Sequence, residues 1–310
     1  MRRIFAFGLL VATTICALAE DVTAPAPPGE LHGTLLRTGK NAPMVMIIAG
    51  SGPTDRDGNS QLGLRSNMYK LLAEGLAAKG ISSLRYDKRG VGESQSAMIK
   101  QPELRIQTYA DDAATMAATL RKRIGNRCIW LLGHSEGALL AELAAQKPNG
   151  ICGVILVSGP GRKIADVMRE QLSIMPEPAR GKALAAIAEL EAGRLVPDPP
   201  AQPLNLFYTG VQPYLISWMA VNPTQLLSVI KLPVLILQGD TDIQVSVTDA
   251  KALAAAKPDA KLAILTGVNH LLKQAPADRA ANMATYTDPS LPLAPGVVDT
   301  IAAFVQEHGK

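Results

Sequence analysis

A serine lies between two glycines in the segment Gly133-His134-Ser135-Glu136-Gly137. An apolar run, IWLL, precedes this segment, and a run of helix-forming residues, EGALLAELAA, follows it. The pattern Gly-x-Ser-x-Gly in this setting is typical of a sharp strand-to-helix turn that exposes the serine hydroxyl above a sheet. We therefore expect Ser135 to be a nucleophile. The alternative is a tight connection in which Ser135 only caps the helix.

A serine hydroxyl attacks efficiently only when a histidine, oriented by a carboxylate, removes its proton. Among the four histidines, His270 is the one that lies beyond the carboxyl end of a predicted strand, KLAIL. The acid is expected between the serine and the histidine in chain order, where LILQGDTD offers Asp240 and Asp242. Asp240 follows a glycine and could simply cap the turn. Asp242 can reach a neighbouring loop and is our predicted acid.

Acyl transfer also requires hydrogen-bond donors for a developing oxyanion. One donor normally belongs to the residue after the nucleophile, which here is the backbone N–H of Glu136. The loop Gly50–Pro53, directly after the apolar run MVMIIA, offers the backbone N–H of Ser51 as the second donor. An ordinary glycine turn is the alternative interpretation of this loop.

Strands and helices must bring these distant residues together. Along the chain, wholly apolar runs alternate with helical patterns. Such alternation is typical of a mostly parallel sheet covered by helices on both faces. We predict an α/β fold with about eight strands, with its core in residues 20–158 and 227–310. Between them, residues 159–226 show helical patterns and no strand signal, which predicts a helical cap. The first strand is predicted at Leu31–Arg37, after an extended leader at Pro25–Gly29.

The first residues predict export. Arg2 and Arg3 precede the apolar run Ile4–Ala19, which ends in the small-x-small pattern of a signal-peptidase site. We expect residues 1–19 to be a signal peptide, a mature chain from Glu20 without a stable membrane span, and a periplasmic or extracellular location. Export would permit a disulfide between Cys128 and Cys152; two buried thiols are the alternative.

The charges exclude some partners. Lys and Arg number 31 and Asp and Glu 27, and the basic residues are scattered, so we expect no nucleic-acid partner. The segment DRDGN resembles a calcium loop, but Ser60 and Ser66 stand where that loop needs glycine and glutamate. We expect no metal and no cofactor. Nothing in the sequence specifies an oligomeric state.

Together these segments resemble the α/β-hydrolase superfamily, and within it the bacterial esterases grouped with serine aminopeptidase-like hydrolases. The likeness rests on GSGPTDRDG, RYDKRGVGES, GHSEG, LPVLILQGDTDIQV and GVNHLLK. It implies that Asp242 and His270 complete a triad with Ser135, and that Asp87 and Arg89 hold their loop beside the nucleophile. One departure is Ala49-Gly50, where the family usually has His-Gly; because the donor is a backbone group, we expect the mechanism to be retained.

The leading functional hypothesis is a serine hydrolase that cleaves small carboxylic esters, short-chain or acetyl esters first, through an acyl-enzyme on Ser135. An aminopeptidase, thioesterase or acyltransferase with the same triad is the second hypothesis. An aminopeptidase needs a carboxylate to hold the substrate ammonium, and the cap offers several candidates: Asp166, Glu170, Glu177, Glu189 and Glu191. A binding protein that uses this scaffold without chemistry is the third hypothesis.

Overall fold

The computed structural model describes residues 18–201, 203 and 206–309. The predicted signal peptide therefore lies almost entirely outside the described residues. The strands are β1 (Leu18–Ala26), β2 (Gly29–Arg37), β3 (Met44–Ile48), β4 (Ser82–Tyr86), β5 (Ile129–His134), β6 (Ile151–Val157), β7 (Val234–Gly239) and β8 (Lys261–Leu265). The α-helices are α1 (Met68–Ala78), α2 (Ile106–Arg123), α3 (Glu136–Ala145), α4 (Ile164–Leu172), α5 (Ala179–Glu191), α6 (Gln212–Met219), α7 (Pro223–Val229), α8 (Val247–Ala256), α9 (Arg279–Ala284) and α10 (Val297–His308).

All eight strands form one sheet in the order β1-β2-β4-β3-β5-β6-β7-β8. Strands β3 to β8 pair in parallel, whereas β1 and β2 are antiparallel to their neighbours. The predicted fold class, a mostly parallel eight-stranded sheet with helices on both faces, is confirmed. Because the six parallel strands point the same way, the loops after them open at one rim of the sheet.

The pleat of the central strands divides the core into two layers. In β3, Met46 and Ile48 pack with α2 and α3 on one face, while Val45 and Ile47 pack with α1 and α10 on the other. Every residue of β3 is buried, because helices cover both faces of the sheet. This two-sided burial explains why the strands appear in the sequence as continuous apolar runs.

The beginning of the sheet corrects one prediction. Strand β1 pairs antiparallel with β2 over its whole length, so Pro25 lies in a strand and not in an extended leader. Strand β2 also begins at Gly29, before the predicted start. Val22, Ala24 and Ala26 alternate as buried residues, but small residues and a proline mask this pattern in the sequence. The edge position of β1 tolerates the missing N–H of Pro25.

Helices α4 to α7 occupy the chain between β6 and β7, in the region predicted as a cap. Several of their side chains, including Ile187 and Leu190, are fully buried and continuous with the core layer on the α2 side. Helix α7 runs across the predicted cap boundary at residue 226. None of the helices in the described part of the chain is both long and apolar enough to span a membrane.

Candidate active site

The turn at Ser135 has the strained backbone that its motif predicts. Ser135 has φ 55° and ψ −122°, values that a residue with a side chain rarely adopts. A Cβ at Gly133 would lie 2.0 Å from the Gly137 oxygen, and a Cβ at Gly137 would lie 2.2 Å from the Ile48 oxygen. Both positions therefore require glycine, and the half-buried Ser135 is held at the junction of β5 and α3.

The predicted base and acid are in direct contact. His270, in the loop after β8, places Nδ1 2.8 Å from Oδ2 of Asp242, in the loop after β7. The other carboxylate oxygen, Oδ1, accepts the backbone N–H groups of Gln244 and Val245 at 2.8 and 3.0 Å. The Asp242 side chain is wholly buried and that of His270 nearly so. The imidazole is thus fixed by a carboxylate that is itself held by backbone groups.

The environment of Asp242 favours its charged form. Burial alone would raise the pKa of this carboxyl, but the charge and hydrogen bond of His270, together with the two backbone donors, hold the pKa below its usual value. Asp240 is exposed and accepts the backbone N–H of Gly267 at 2.6 Å. Its side chain therefore ties the β7 loop to the β8 loop, which differs from the alternative that it caps its own turn.

Ser135 and His270 border the same small cavity, whose volume is about 100 Å³. Within the described residues, the Ser135 hydroxyl makes no hydrogen bond, so the serine and the histidine share a space without being bonded. Because Nδ1 is engaged by Asp242, Nε2 is the ring nitrogen available to the serine. The hydrogen bond between a catalytic serine and its base is often long before a substrate binds.

The two predicted oxyanion donors flank the serine. Gly50 lies so close that a Cβ there would be 3.1 Å from the Ser135 Cβ. Ser51 and Glu136 both border a larger cavity, of about 310 Å³, that also reaches Ser135. Loop and helix thus bring the two residues that carry the predicted donors to the same cavity as the nucleophile.

His134 makes buried contacts that the sequence does not reveal. Its Nε2 lies 2.8 Å from the His270 carbonyl oxygen, and its Nδ1 lies 2.9 Å from the Tyr69 hydroxyl. A carbonyl only accepts, so Nε2 carries the proton and Nδ1 accepts the Tyr69 O–H. The Tyr69 oxygen in turn accepts the Gly50 N–H at 2.9 Å. This chain connects the His270 loop with the Gly50 loop through buried groups.

Burial keeps His134 neutral, as that chain requires. The loss of hydration, and to a lesser degree the nearby His270, lowers the pKa of His134 from 6.5 to about 3. The neutral ring can act as donor and acceptor at once, whereas a protonated ring would offer Tyr69 no acceptor. Both ring nitrogens of His134 are engaged in this chain of bonds.

The segment RYDKRGVGES folds beside the serine. Asp87 accepts hydrogen bonds from the backbone and guanidinium of Arg56. Arg89 makes two bonds to Asp112, of 2.9 and 2.6 Å. Both pairs are largely buried, in keeping with the structural role that the resemblance implied for Asp87 and Arg89.

Lys88 lies between these two anchors in the chain, and its spacing does not single it out. Its ammonium donates to the backbone oxygen of Gly50 and lies 3.1 Å from Oε1 of Glu136. It also lies 5.0 Å from the centre of the Tyr109 ring. The side chains of Lys88 and Glu136 are each 2% exposed, so this ion pair is buried directly behind the serine.

The larger cavity at Ser135 has mostly apolar walls. Side chains from the cap form much of its lining: Ile164, Val167, Met168, Leu215 and Trp218. Glu136 is the carboxylate among the described residues that border it, and Lys88 neutralises that group. The cavity thus suits an uncharged, hydrocarbon-rich group.

Comparison with known proteins finds hydrolases with similar sequences. The family model described as serine aminopeptidase, S33, matches residues 62–192. Esterase EstD of Thermotoga maritima is 26% identical over 261 residues, which are 82% of this chain. The match spans 60% of that relative's length.

Solved structures agree on the fold. A thermophilic esterase from Thermogutta terrifontis superposes with a TM-score of 0.58 at 21% identity, covering 95% of this chain and all of the other. Esterase Pf2001 of Pyrococcus furiosus gives 0.59 at 15% identity, covering 99% of both chains. Est1E of Butyrivibrio proteoclasticus, in a structure with ferulic acid bound, gives 0.59 at 19% identity, covering 93% of this chain and 98% of the other.

The sheet order, the strained serine turn and these matches define an α/β-hydrolase fold. The chain therefore has the α/β-hydrolase fold, and its sequence is similar to hydrolases. The similarity in sequence is to the serine aminopeptidase, S33, family model over residues 62–192 and to the bacterial esterase EstD.

Proposed function

We propose that this protein is a serine hydrolase that cleaves carboxylic esters through an acyl-enzyme on Ser135. The observation that carries the proposal is the 2.8 Å hydrogen bond between His270 Nδ1 and Asp242, beside a cavity that Ser135 also borders. A bonded acid and base next to a strained, accessible serine form the constellation that acyl transfer requires. The similarity to named esterases supports the same conclusion.

In the proposed reaction, His270 Nε2 takes the proton of Ser135 as its oxygen attacks the ester carbonyl. The backbone N–H groups of Ser51 and Glu136 hold the oxyanion. His270 then protonates the departing alcohol, and water repeats the sequence on the acyl-enzyme. Asp242 keeps the imidazole oriented and stabilises its charged form in both halves.

The walls of the cavity favour esters over peptides with a free amino terminus. Each cap carboxylate considered for an aminopeptidase is paired with an arginine: Asp166 and Glu191 with Arg169, Glu170 with Arg162, Glu177 with Arg180, and Glu189 with Arg194. None of them borders the cavity at Ser135 within the described residues. Its volume of about 310 Å³ is equivalent to roughly ten water molecules, which suits a short acyl group.

Turnover of nitrophenyl acetate tests this proposal. Substitution Ser135→Ala should lower kcat by on the order of 10⁶-fold and abolish labelling by a fluorophosphonate. The matched control is Ser173→Ala, at an exposed serine that does not border the cavity. This variant should retain both ester turnover and fluorophosphonate labelling. Undiminished turnover by Ser135→Ala would end the proposal, and faster cleavage of aminoacyl anilides than of esters would replace it with the peptidase alternative.

We also propose that the protein is exported. The predicted signal sequence and the bond between Cys128 and Cys152 both suit an oxidising compartment. Cleavage after Ala19 would remove only the first two residues of β1 and would leave Glu20, which pairs with Arg37 and Arg123. Mass spectrometry after expression of the full chain in bacteria should find a mature start near Glu20. A cytoplasmic chain that retains residues 1–19 would contradict export.

A further inference from the structure

We propose that Lys88 is a positioning residue that sets the geometry of both oxyanion donors. The inference rests on the proposed acyl-transfer function and adds a residue to its machinery. The buried ammonium of Lys88 contacts both Gly50 and Glu136. Gly50 packs against Ser135 and Glu136 follows it in the chain, and neither contact of Lys88 is visible in the spacing of the sequence.

The contact with Gly50 orients the first donor. The Gly50 carbonyl and the Ser51 N–H belong to the same peptide group, and this peptide is trans. In a trans peptide the C=O and the N–H point in opposite directions. Because Lys88 holds the carbonyl, it directs the Ser51 N–H away from itself. The Gly50 N–H is bound by Tyr69, so both polar groups of this glycine are fixed.

The contact with Glu136 reaches the second donor. The Glu136 carboxylate lies 3.1 Å from the Lys88 ammonium, and the backbone N–H of the same residue is the other predicted donor. Glu136 is the first residue of α3, so its N–H has no acceptor within the helix. One side chain therefore links the loop after β3 to the beginning of α3.

Lys88 is itself well anchored. Its neighbours Asp87 and Arg89 are each locked in a largely buried ion pair. A buried ion pair contributes little net stability compared with an apolar pair of similar size. A role in fixing geometry therefore explains the burial of Lys88 with Glu136 better than a role in stability does.

Substitution Lys88→Met tests the proposal because it keeps the length of the side chain and removes its donors. Loss of a whole oxyanion donor costs about 10²- to 10³-fold in kcat, so a misdirected donor should cost about 10- to 100-fold. KM should stay within about threefold, because such donors act on the transition state more than on the bound ester. The rate of fluorophosphonate labelling at Ser135 should fall by a similar factor.

Two further variants separate positioning from folding. The double variant Lys88→Met with Glu136→Gln carries no unpaired buried charge, and it should be as slow as the single variant even when its thermal unfolding matches that of wild type. The control is Lys257→Met, which removes another buried lysine, paired with Asp259 at 2.9 Å away from the cavities at Ser135. It should retain wild-type kcat and labelling.

The outcomes are distinct. Wild-type kcat and labelling rate in a folded Lys88→Met or double variant would overturn the role of Lys88. A rise in KM with unchanged kcat would overturn it too, since it would make Lys88 a binding contact. A wild-type protein that labels at Ser135 without cleaving esters would refute the proposed function alone, because the ratio of labelling rates would still test Lys88.

Discussion

Protonation of His134 should couple the stability of this protein to pH, and the variant His134→Gln should remove that coupling. In the folded chain His134 must be neutral, because it donates to the His270 carbonyl and accepts from Tyr69. A glutamine amide offers the same pair of functions, an N–H donor and an oxygen acceptor, and does not titrate.

The magnitude follows from the two pKa values. The pKa of His134 is about 3 in the folded protein and 6.5 in a free chain. Because the folded pKa is the lower one, the contribution to stability is complete above pH 6.5 and is lost as the pH falls towards 3. The loss is about 1.4 kcal/mol per pH unit inside this window. From pH 7.5 to pH 5, protonation of the unfolded chain at this one site should cost about 2 kcal/mol.

Urea unfolding at both pH values provides the measurement. The free energy of unfolding should fall by about 2 kcal/mol more in wild type than in His134→Gln between pH 7.5 and pH 5. The comparison is between the two proteins' changes in unfolding free energy from pH 7.5 to pH 5. A loss of stability in the variant that is the same at both pH values therefore does not affect it. Titration of the remaining groups is common to both proteins. An equal pH dependence in the two proteins would refute the assignment of His134 as a buried, neutral link.

Three other predictions concern the same framework. Asp242→Asn should lower kcat by on the order of 10³- to 10⁴-fold, whereas Asp240→Asn, at the exposed turn, should change kcat little; nitrophenyl ester assays of both variants test this contrast. Replacing Cys128 and Cys152 together with alanine opens a loop with a sequence separation of 24 and should cost about 3.4 kcal/mol in urea unfolding; no loss on reduction of wild type would contradict it. Tyr69→Phe leaves a buried glycine N–H without an acceptor and should cost about 1–3 kcal/mol together with a lower kcat, so wild-type values for both would contradict the link through Tyr69.

Much of this arrangement could be predicted because it is encoded locally. The turn at Ser135 depends on glycines two positions away on each side, and the acid and base follow strands that are visible as apolar runs. The rule that parallel strands open at one rim then predicts that these residues meet. The structure brings Asp242 and His270 together as this reasoning expects.

The remaining features depend on long-range contacts that spacing cannot encode. His134 binds partners 65 and 136 residues away, and Lys88 reaches a carbonyl 38 residues away. The sequence pattern of strand β1 is hidden for a different reason. Its core residues are Val22, Ala24 and Ala26, of which two are too small to give a clear alternating signal.

The contacts of Gly50 suggest why so much buried polarity surrounds one small loop. Its N–H is bound by Tyr69 and its C=O by Lys88, and neither partner belongs to the cap. The apolar wall of the cavity, by contrast, comes largely from α4 and α6. Hydrogen bonds are directional and apolar contacts are not, so under the proposed function the rim of the sheet is suited to orient the oxyanion donors. Under the proposed function, the cap is suited to select the acyl group, and substitutions there are expected to change substrate preference without disturbing the predicted donors at Ser51 and Glu136.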